Sequence, residues 1–324
     1  MKRFFYKTFS VWAMAGALMA SPVAARDAFP IAPVTLLTPG APGGFSDTVS
    51  RLVAKGLSER WQVPVIVENR PGAGGTIGAT RAMNQPADGY TLFLSNTASD
   101  VISPAVYAKL DYDSLADFEP VILLVTTPVV LAAHPNFPAK TVEDLVALAK
   151  EKPGTLDFGY PGNGSTGHLS SALFARMAGI ELSLVPFKGT SDIVISILNG
   201  TVPFTIDNAD LWAPHIQSGK VRALAISSLK RSPLLPNVPT MDESGLPGYE
   251  ALTFAGISVP KGTPMAVVSQ LNRDVQAVID TPEFRSRMPA SEVITNSPDQ
   301  YRQFLSRERA KWGTLAKEIG LTIN

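Results

Sequence analysis

The sequence predicts an α/β fold, a parallel sheet covered by helices on both faces and divided into two domains. Three observations carry this. Short β-rich runs alternate with helical stretches from residue 33 onward, the βαβα order that specifies such a sheet. A chain of 324 residues suggests two compact units at roughly 150 residues each. The hydrophobic share of 45%, against 17% charged, supports a packed core.

Val34 to Leu37 reads as the first strand. Phe45 to Trp61 follows as a helix, because Val49, Leu52, Val53, Gly56 and Leu57 recur at helical spacing and put one stripe on the sheet. Val63 to Val67, Thr91 to Ser95, Val121 to Val125 and Val129 to Ala133 are further strands. In the second half, Leu156 to Tyr160, Ser183 to Phe187, Val202 to Ile206 and Val221 to Ser227 are strands, with helices at Leu169 to Met177 and Asp192 to Leu198. Caps are written at Thr141, at Thr281 before Pro282, and in the box Ser297-Pro298-Asp299-Gln300. The last helix runs to Gly320 with Tyr301, Phe304, Leu305, Trp312, Leu315 and Ile319 on one side. The Pro-rich stretch Arg231 to Gly248 is a surface connection before a strand over Leu252 to Val259. Thr126 to Pro128 and Tyr249 to Thr253 are read as the two crossings between domains, so domain 1 is discontinuous: 26–127 with 250–324, around domain 2 at 128–249.

Residues 1–25 read as a removable export signal: Lys2, Arg3 and Lys7 precede the apolar run Thr8 to Ala20, and Val23-Ala24-Ala25 offers small residues for cleavage near Ala25. Thirteen residues make about 20 Å of helix, too short for a hydrocarbon core of about 30 Å. The mature 299 residues carry 25 basic and 28 acidic side chains, a net charge of −3. Before cleavage the two counts are equal at 28, so no basic surface advertises a nucleic-acid partner. The absence of cysteine excludes disulfides, thiolate metal sites, a cysteine nucleophile and a lipoprotein anchor. With only His134, His168 and His215, no His-rich metal site is available, and neither metal nor cofactor is expected. A periplasmic, freely diffusing monomer follows as the expectation.

Two Gly-rich loops follow strands and open helices, where backbone N–H groups and the positive end of the helix dipole converge. The first is Gly40-Ala41-Pro42-Gly43-Gly44-Phe45-Ser46-Asp47 and the second is Gly162-Asn163-Gly164-Ser165-Thr166-Gly167-His168. Each can receive a carboxylate without a full positive charge, and two such loops in two domains suggest a diacid in a cleft. The plain alternative for either loop alone is a tight turn. A third, Asn69 to Thr76, lines the cleft or only shapes its rim. Asn96 joins the candidate ligand-binding set, as do Asp207 and Asn208, which end a domain 2 strand at the edge where open α/β sheets bind ligands. Asp207 is suited to a substrate amine or hydroxyl, whereas Asp47 is better suited to capping its own helix. His168 is read as a ligand or cap contact on equal terms with a structural role, and Trp212 as core rather than cleft.

Two other chemistries match parts of the sequence less well. Gly162, Gly164 and Gly167 spell GxGxxG, but Glu181 precedes the next strand instead of closing it, which argues against a dinucleotide. A hydrolase using Ser165, His168 and Asp207 is the alternative from the enzyme class, although Asn163 stands where a nucleophile elbow needs Gly.

Seven segments in order, Ala41-Pro42-Gly43-Gly44 with Asp47, Val67 to Gly75, Asp88-Gly89-Tyr90-Thr91-Leu92, Gly162 to Thr166 with His168, Val185-Pro186-Phe187-Lys188-Gly189, Asp207-Asn208, and Val238-Pro239-Thr240 through Gly245 to Glu250, resemble the Bug family. These are the TctC-type extracytoplasmic solute receptors of tripartite tricarboxylate transporters. The resemblance implies a type II periplasmic binding-protein fold: two α/β domains, joined by two crossings, closing on a small organic acid. It further implies that residues 41–47 and 162–168 hold one carboxylate, and that membrane transporter subunits, or in an orphan receptor a sensor protein, receive the loaded form. Gly40, Pro161 and Gly167 depart from the family's usual residues at those places. The reading is a non-catalytic receptor for a mono-, di- or tricarboxylate, aliphatic or aromatic.

Overall fold

A computed structural model of the chain describes Met1 and residues 29–318 and 320–322. The export signal and Ile319 lie outside the described residues. Strands β1 (Val34–Thr38), β2 (Val65–Asn69) and β3 (Thr91–Asn96) alternate with helices α1 (Phe45–Trp61) and α2 (Thr76–Met83). After α3 (Ser103–Val106) comes a 16-residue strand, β4 (Phe118–Ala133). Then follow α4 (Val142–Glu151), β5 (Asp157–Tyr160), α5 (Thr166–Ala178), β6 (Ser183–Pro186), α6 (Thr190–Leu198), β7 (Phe204–Asn208), α7 (Ala209–Gln217) and β8 (Arg222–Ile226). The chain closes with β9 (Leu252–Pro260), α8 (Met265–Ile279), α9 (Pro282–Arg287), the short β10 (Glu292–Val293) and α10 (Pro298–Glu318).

The sheet runs β2-β1-β3-β9-β4-β7-β5-β6, with β8 and β10 also on β4. Its outer parts are parallel, β2-β1-β3 at one end and β7-β5-β6 at the other. Every pairing of β4 and β9 is antiparallel, which corrects the all-parallel expectation: these two strands carry the chain between the halves in opposite directions. β4 corrects a second point, because the two strands and intervening crossing expected over 121–133 are one strand. Residues 118–128 pair with β9, and from Val129 onward the partners become β7 and β8. Pro128 sits where the partner changes, a place where the missing N–H interrupts no ladder on both sides. β2 lies two residues later than expected. Left-handed Gln62 (φ 56°) and Pro64 still belong to the turn, and the register onto β1 draws Glu68 and Asn69 into the strand.

The three written caps are present. Thr141 and Asp144 form a reciprocal box, Thr281 Oγ1 accepts from the Phe284 N–H, and Ser297 with Gln300 forms a second box. One apolar cluster joins β1, β3, β9, α1 and α8. A second runs from Phe158, Phe174 and Phe204 through Val129 and Tyr249 to Tyr301, Leu305 and Trp312 of α10, so α10 packs behind both halves of the sheet.

Candidate functional site

A cleft of about 570 Å³ opens at the carboxyl edge of the parallel strands, between the two halves. Five helices begin at its wall: α1, α2, α5, α6 and α7. Their start positions explain its chemistry. α1, α2 and α6 have Gly44, Gly75 and Gly189 at the N-cap and no side chain on their first-turn amides. In α1 and α6 those N–H groups and the dipoles behind them are left for something in the cleft, whereas the first amide of α2, Thr76 N–H, donates to the Ala73 carbonyl. α5 and α7 are capped instead by Ser165 and Asn208.

Of the predicted ligand set, Ala41, Pro42, Gly44, Ser46 and Asn96 line the cleft from the first half. Gly162, Asn163, Ser165, Thr166, Asp207 and Asn208 line it from the second. Gly43, Asp47, Gly164 and His168 are not among its lining residues, and their hydrogen bonds run within the two loops. Asp47, buried at the start of α1, accepts from the Gly43 N–H at 2.9 Å and from Arg51 Nε at 2.9 Å, while its other oxygen accepts from Asn69 Nδ2 at 2.9 Å. These bonds hold its carboxyl below the ordinary value against the opposing effect of burial, the largest single influence. Asp47 is therefore a brace that fixes the first loop to β2. His168 does the same in the second loop. Its Nδ1 accepts from the Gly164 N–H at 3.3 Å, its own N–H caps onto Ser165 Oγ at 3.1 Å, and its ring stacks on Tyr160 at 4.5 Å. Burial pushes the imidazole pKa down and keeps it neutral.

This geometry does not assemble the hydrolase. The Ser165 hydroxyl meets the His168 backbone, not its ring, and Asp207 bonds Thr190 Oγ1 at 2.7 Å and Trp212 Nε1 at 3.5 Å. Trp212 is fully buried in the second half's core.

Neutral donors on the wall are held in turn. Asn96 Nδ2 donates to Ser46 Oγ at 3.0 Å, and Asn208 Nδ2 donates to Thr253 Oγ1 at 2.8 Å, which itself donates to the Thr127 carbonyl on β4. Pro71 to Gly75 also line the cleft, so the third Gly-rich loop is wall. The residues missed from sequence are Phe187 to Ser191, Thr97, Ala98, Tyr107, Leu211, Thr253 and Phe254. The Lys188-Gly189-Thr190 turn after β6 carries the same glycine signal as the other loops; Tyr107, just past α3, and Leu211 on α7 are brought there only by folding. Lys188 is the single basic residue among the lining residues described. Among the described residues no helix is long and apolar enough to cross a membrane.

Residues 49–321 match the family model described as the tripartite tricarboxylate transporter family receptor. The chain is 36% identical to a protein of Pseudomonas sp. (strain P51) encoded in the tcbD-tcbE intergenic region, over 92% of this chain and 89% of that one. It is 35% identical to Protein BugT of Bordetella pertussis, over 95% of each. Among solved structures, R. palustris Rpa4515 with adipate superposes with a TM-score of 0.87 at 35% identity, covering 91% of this chain and 99% of that one. MatC (Rpa3494) from Rhodopseudomonas palustris with bound malate gives 0.84 at 32% identity, covering 89% and 99%. The ordered segments, the cleft and these matches over nearly the whole described chain agree, and the protein belongs to the tripartite tricarboxylate transporter receptors, the Bug/TctC solute-binding family.

Proposed function

We propose that this chain is a periplasmic receptor that captures a small organic acid and presents it to membrane subunits of a tripartite tricarboxylate-type transporter. The observation that carries the reading is the convergence of two uncapped helix starts, Gly44 from one half and Gly189 from the other, on a cleft with one basic side chain among its described lining residues. Oriented amides bind a carboxylate by directed hydrogen bonds without the hydration cost of burying a guanidinium. Relatives solved with adipate and malate support the ligand class. The sequence divides at the β4 and β9 crossings into 26–127 with 250–324 and 128–249, and a ligand touching both sides favours their closure by its additional contacts. The monomeric state and the export signal are part of the same proposal.

Thermal unfolding of residues 26–324 against mono-, di- and tricarboxylates, sugars and amino acids tests it. A ligand at about 100 times its Kd adds about 2.7 kcal/mol to stability. A shift restricted to carboxylates supports the receptor; turnover of a small ester, with no shift from any acid, would replace it by the hydrolase.

A further inference from the structure

Asp207 is the one acidic side chain among the described residues lining this anion cleft, and it is only 6% exposed. Its partners are all neutral: Thr190 Oγ1 at 2.7 Å and Trp212 Nε1 at 3.5 Å on Oδ2, and the Asn208 N–H at 2.8 Å on Oδ1. The ionisable groups on the elements around it are Lys188 ahead of α6, Asp192 on α6, His168 and the Glu318-bound Arg176 on α5, Asp157 and Tyr160 on β5, Glu119 on β4, and Asp210 and His215 on α7. None of them bonds its carboxylate, and β4 sets Val130 opposite it. Asp210 is committed elsewhere, to the Ala290 N–H at 2.6 Å and to Ser291. Burial therefore pushes the Asp207 carboxyl up with no cation to oppose it. Two negative charges about 6 Å apart, at an effective dielectric constant near 20, cost about a hundredfold in affinity. A carboxylate bound at that distance from Asp207 meets that penalty unless Asp207 is neutralised.

We propose that carboxylate capture takes up one proton from solvent, and that Asp207 is the residue that binds it. The inference rests on the receptor reading above and adds the proton as a second occupant of the same site. On release of the acid the proton returns to solvent. Asp100 acts in the same direction from the other wall. Fully buried behind Asn96, it accepts the Asn96 N–H on Oδ2 at 3.1 Å, and its Oδ1 has no protein partner. By linkage the affinity rises as pH falls, by up to tenfold per pH unit where uptake is complete.

The test is calorimetric titration of wild type with adipate and with malate between about pH 6.5 and 8.5, where both acids are ionised, in buffers of different ionisation heat. Expected are a net uptake approaching one proton per acid and a Kd that tightens several-fold per pH unit downward. In Asp207→Asn the uptake disappears and the Kd loses its pH dependence. Binding with no uptake overturns the proposal while leaving the receptor intact, and identifies an acid that neutralises or avoids Asp207 itself. Uptake that survives Asp207→Asn but is abolished by Asp100→Asn overturns the assignment to Asp207. If neither acid binds at any pH, both this inference and its carboxylate ligand class fall.

Discussion

Gly43 and Gly164 sit at φ +78° and +72°, a backbone region that costs an L side chain roughly 1–2 kcal/mol. Their amides donate inward, to Asp47 and His168, and so fix the path of each loop while the neighbouring N–H groups turn to the cleft. Gly43→Val and Gly164→Val are expected to leave the protein folded, lower in stability by about 1–2 kcal/mol, and without measurable carboxylate binding. Circular dichroism with calorimetry checks both, and unchanged affinity in both would move the site elsewhere. Asp100 makes a pH prediction. Burial pushes its carboxyl up to about 6 from 3.8, so the folded state holds the proton more tightly than the unfolded chain. Stability from this group is then full below pH 3.8, falls as pH rises to about 6, and stays reduced above it. The loss is at most about 3 kcal/mol, and Asp100→Asn should flatten that part of a urea-unfolding profile. Composition showed that the site had to work without histidine clusters or cysteine. It did not separate bracing from binding: Asp47 and His168 lie in the right loops, and only their bond partners turn them inward.

Helix and strand boundaries followed local signals where those signals were complete. α1 begins and ends where its apolar stripe does, and the caps at Thr141, Thr281 and Ser297 close their own hydrogen bonds within a few residues. β4 escaped the same reading because Thr126 to Pro128 looks like a break when taken alone. Pairing to β9 on one side and to β7 and β8 on the other makes it one strand. The contact of α10 with β9 is equally non-local. A Cβ on Gly256 of β9 would lie 2.1 Å from the Tyr301 hydroxyl, and Tyr301 is fully buried. Gly256→Ala should therefore destabilise by about 1–3 kcal/mol through overpacking. The measurement is chemical denaturation; a variant as stable as wild type would mean that α10 shifts freely on the sheet. Tyr301→Phe alone should not relieve the overlap, because the ring carbons Cζ and Cε1 would still lie 2.3 and 2.8 Å from that Cβ.

At the scale of the molecule, the two halves approach each other across the cleft at Gly43 and Ser191, where a Cβ on Gly43 would stand 3.9 Å from Ser191 Oγ. Closure on the acid is expected to lower the radius of gyration seen by small-angle X-ray scattering when adipate or malate saturates the protein; a radius unchanged by an acid that binds would rule out closure. By itself the sequence determined the α/β class, most elements and the Gly-rich loops, because periodicity, caps and glycine act within a few residues. The resemblance of its ordered segments also pointed to the family. Tertiary structure alone decided that β4 is continuous, that five helix starts meet at one cleft, and that Asp207 is sealed among neutral donors. Those properties arise from strand pairing and burial between residues far apart in the chain, where no local pattern records the partner.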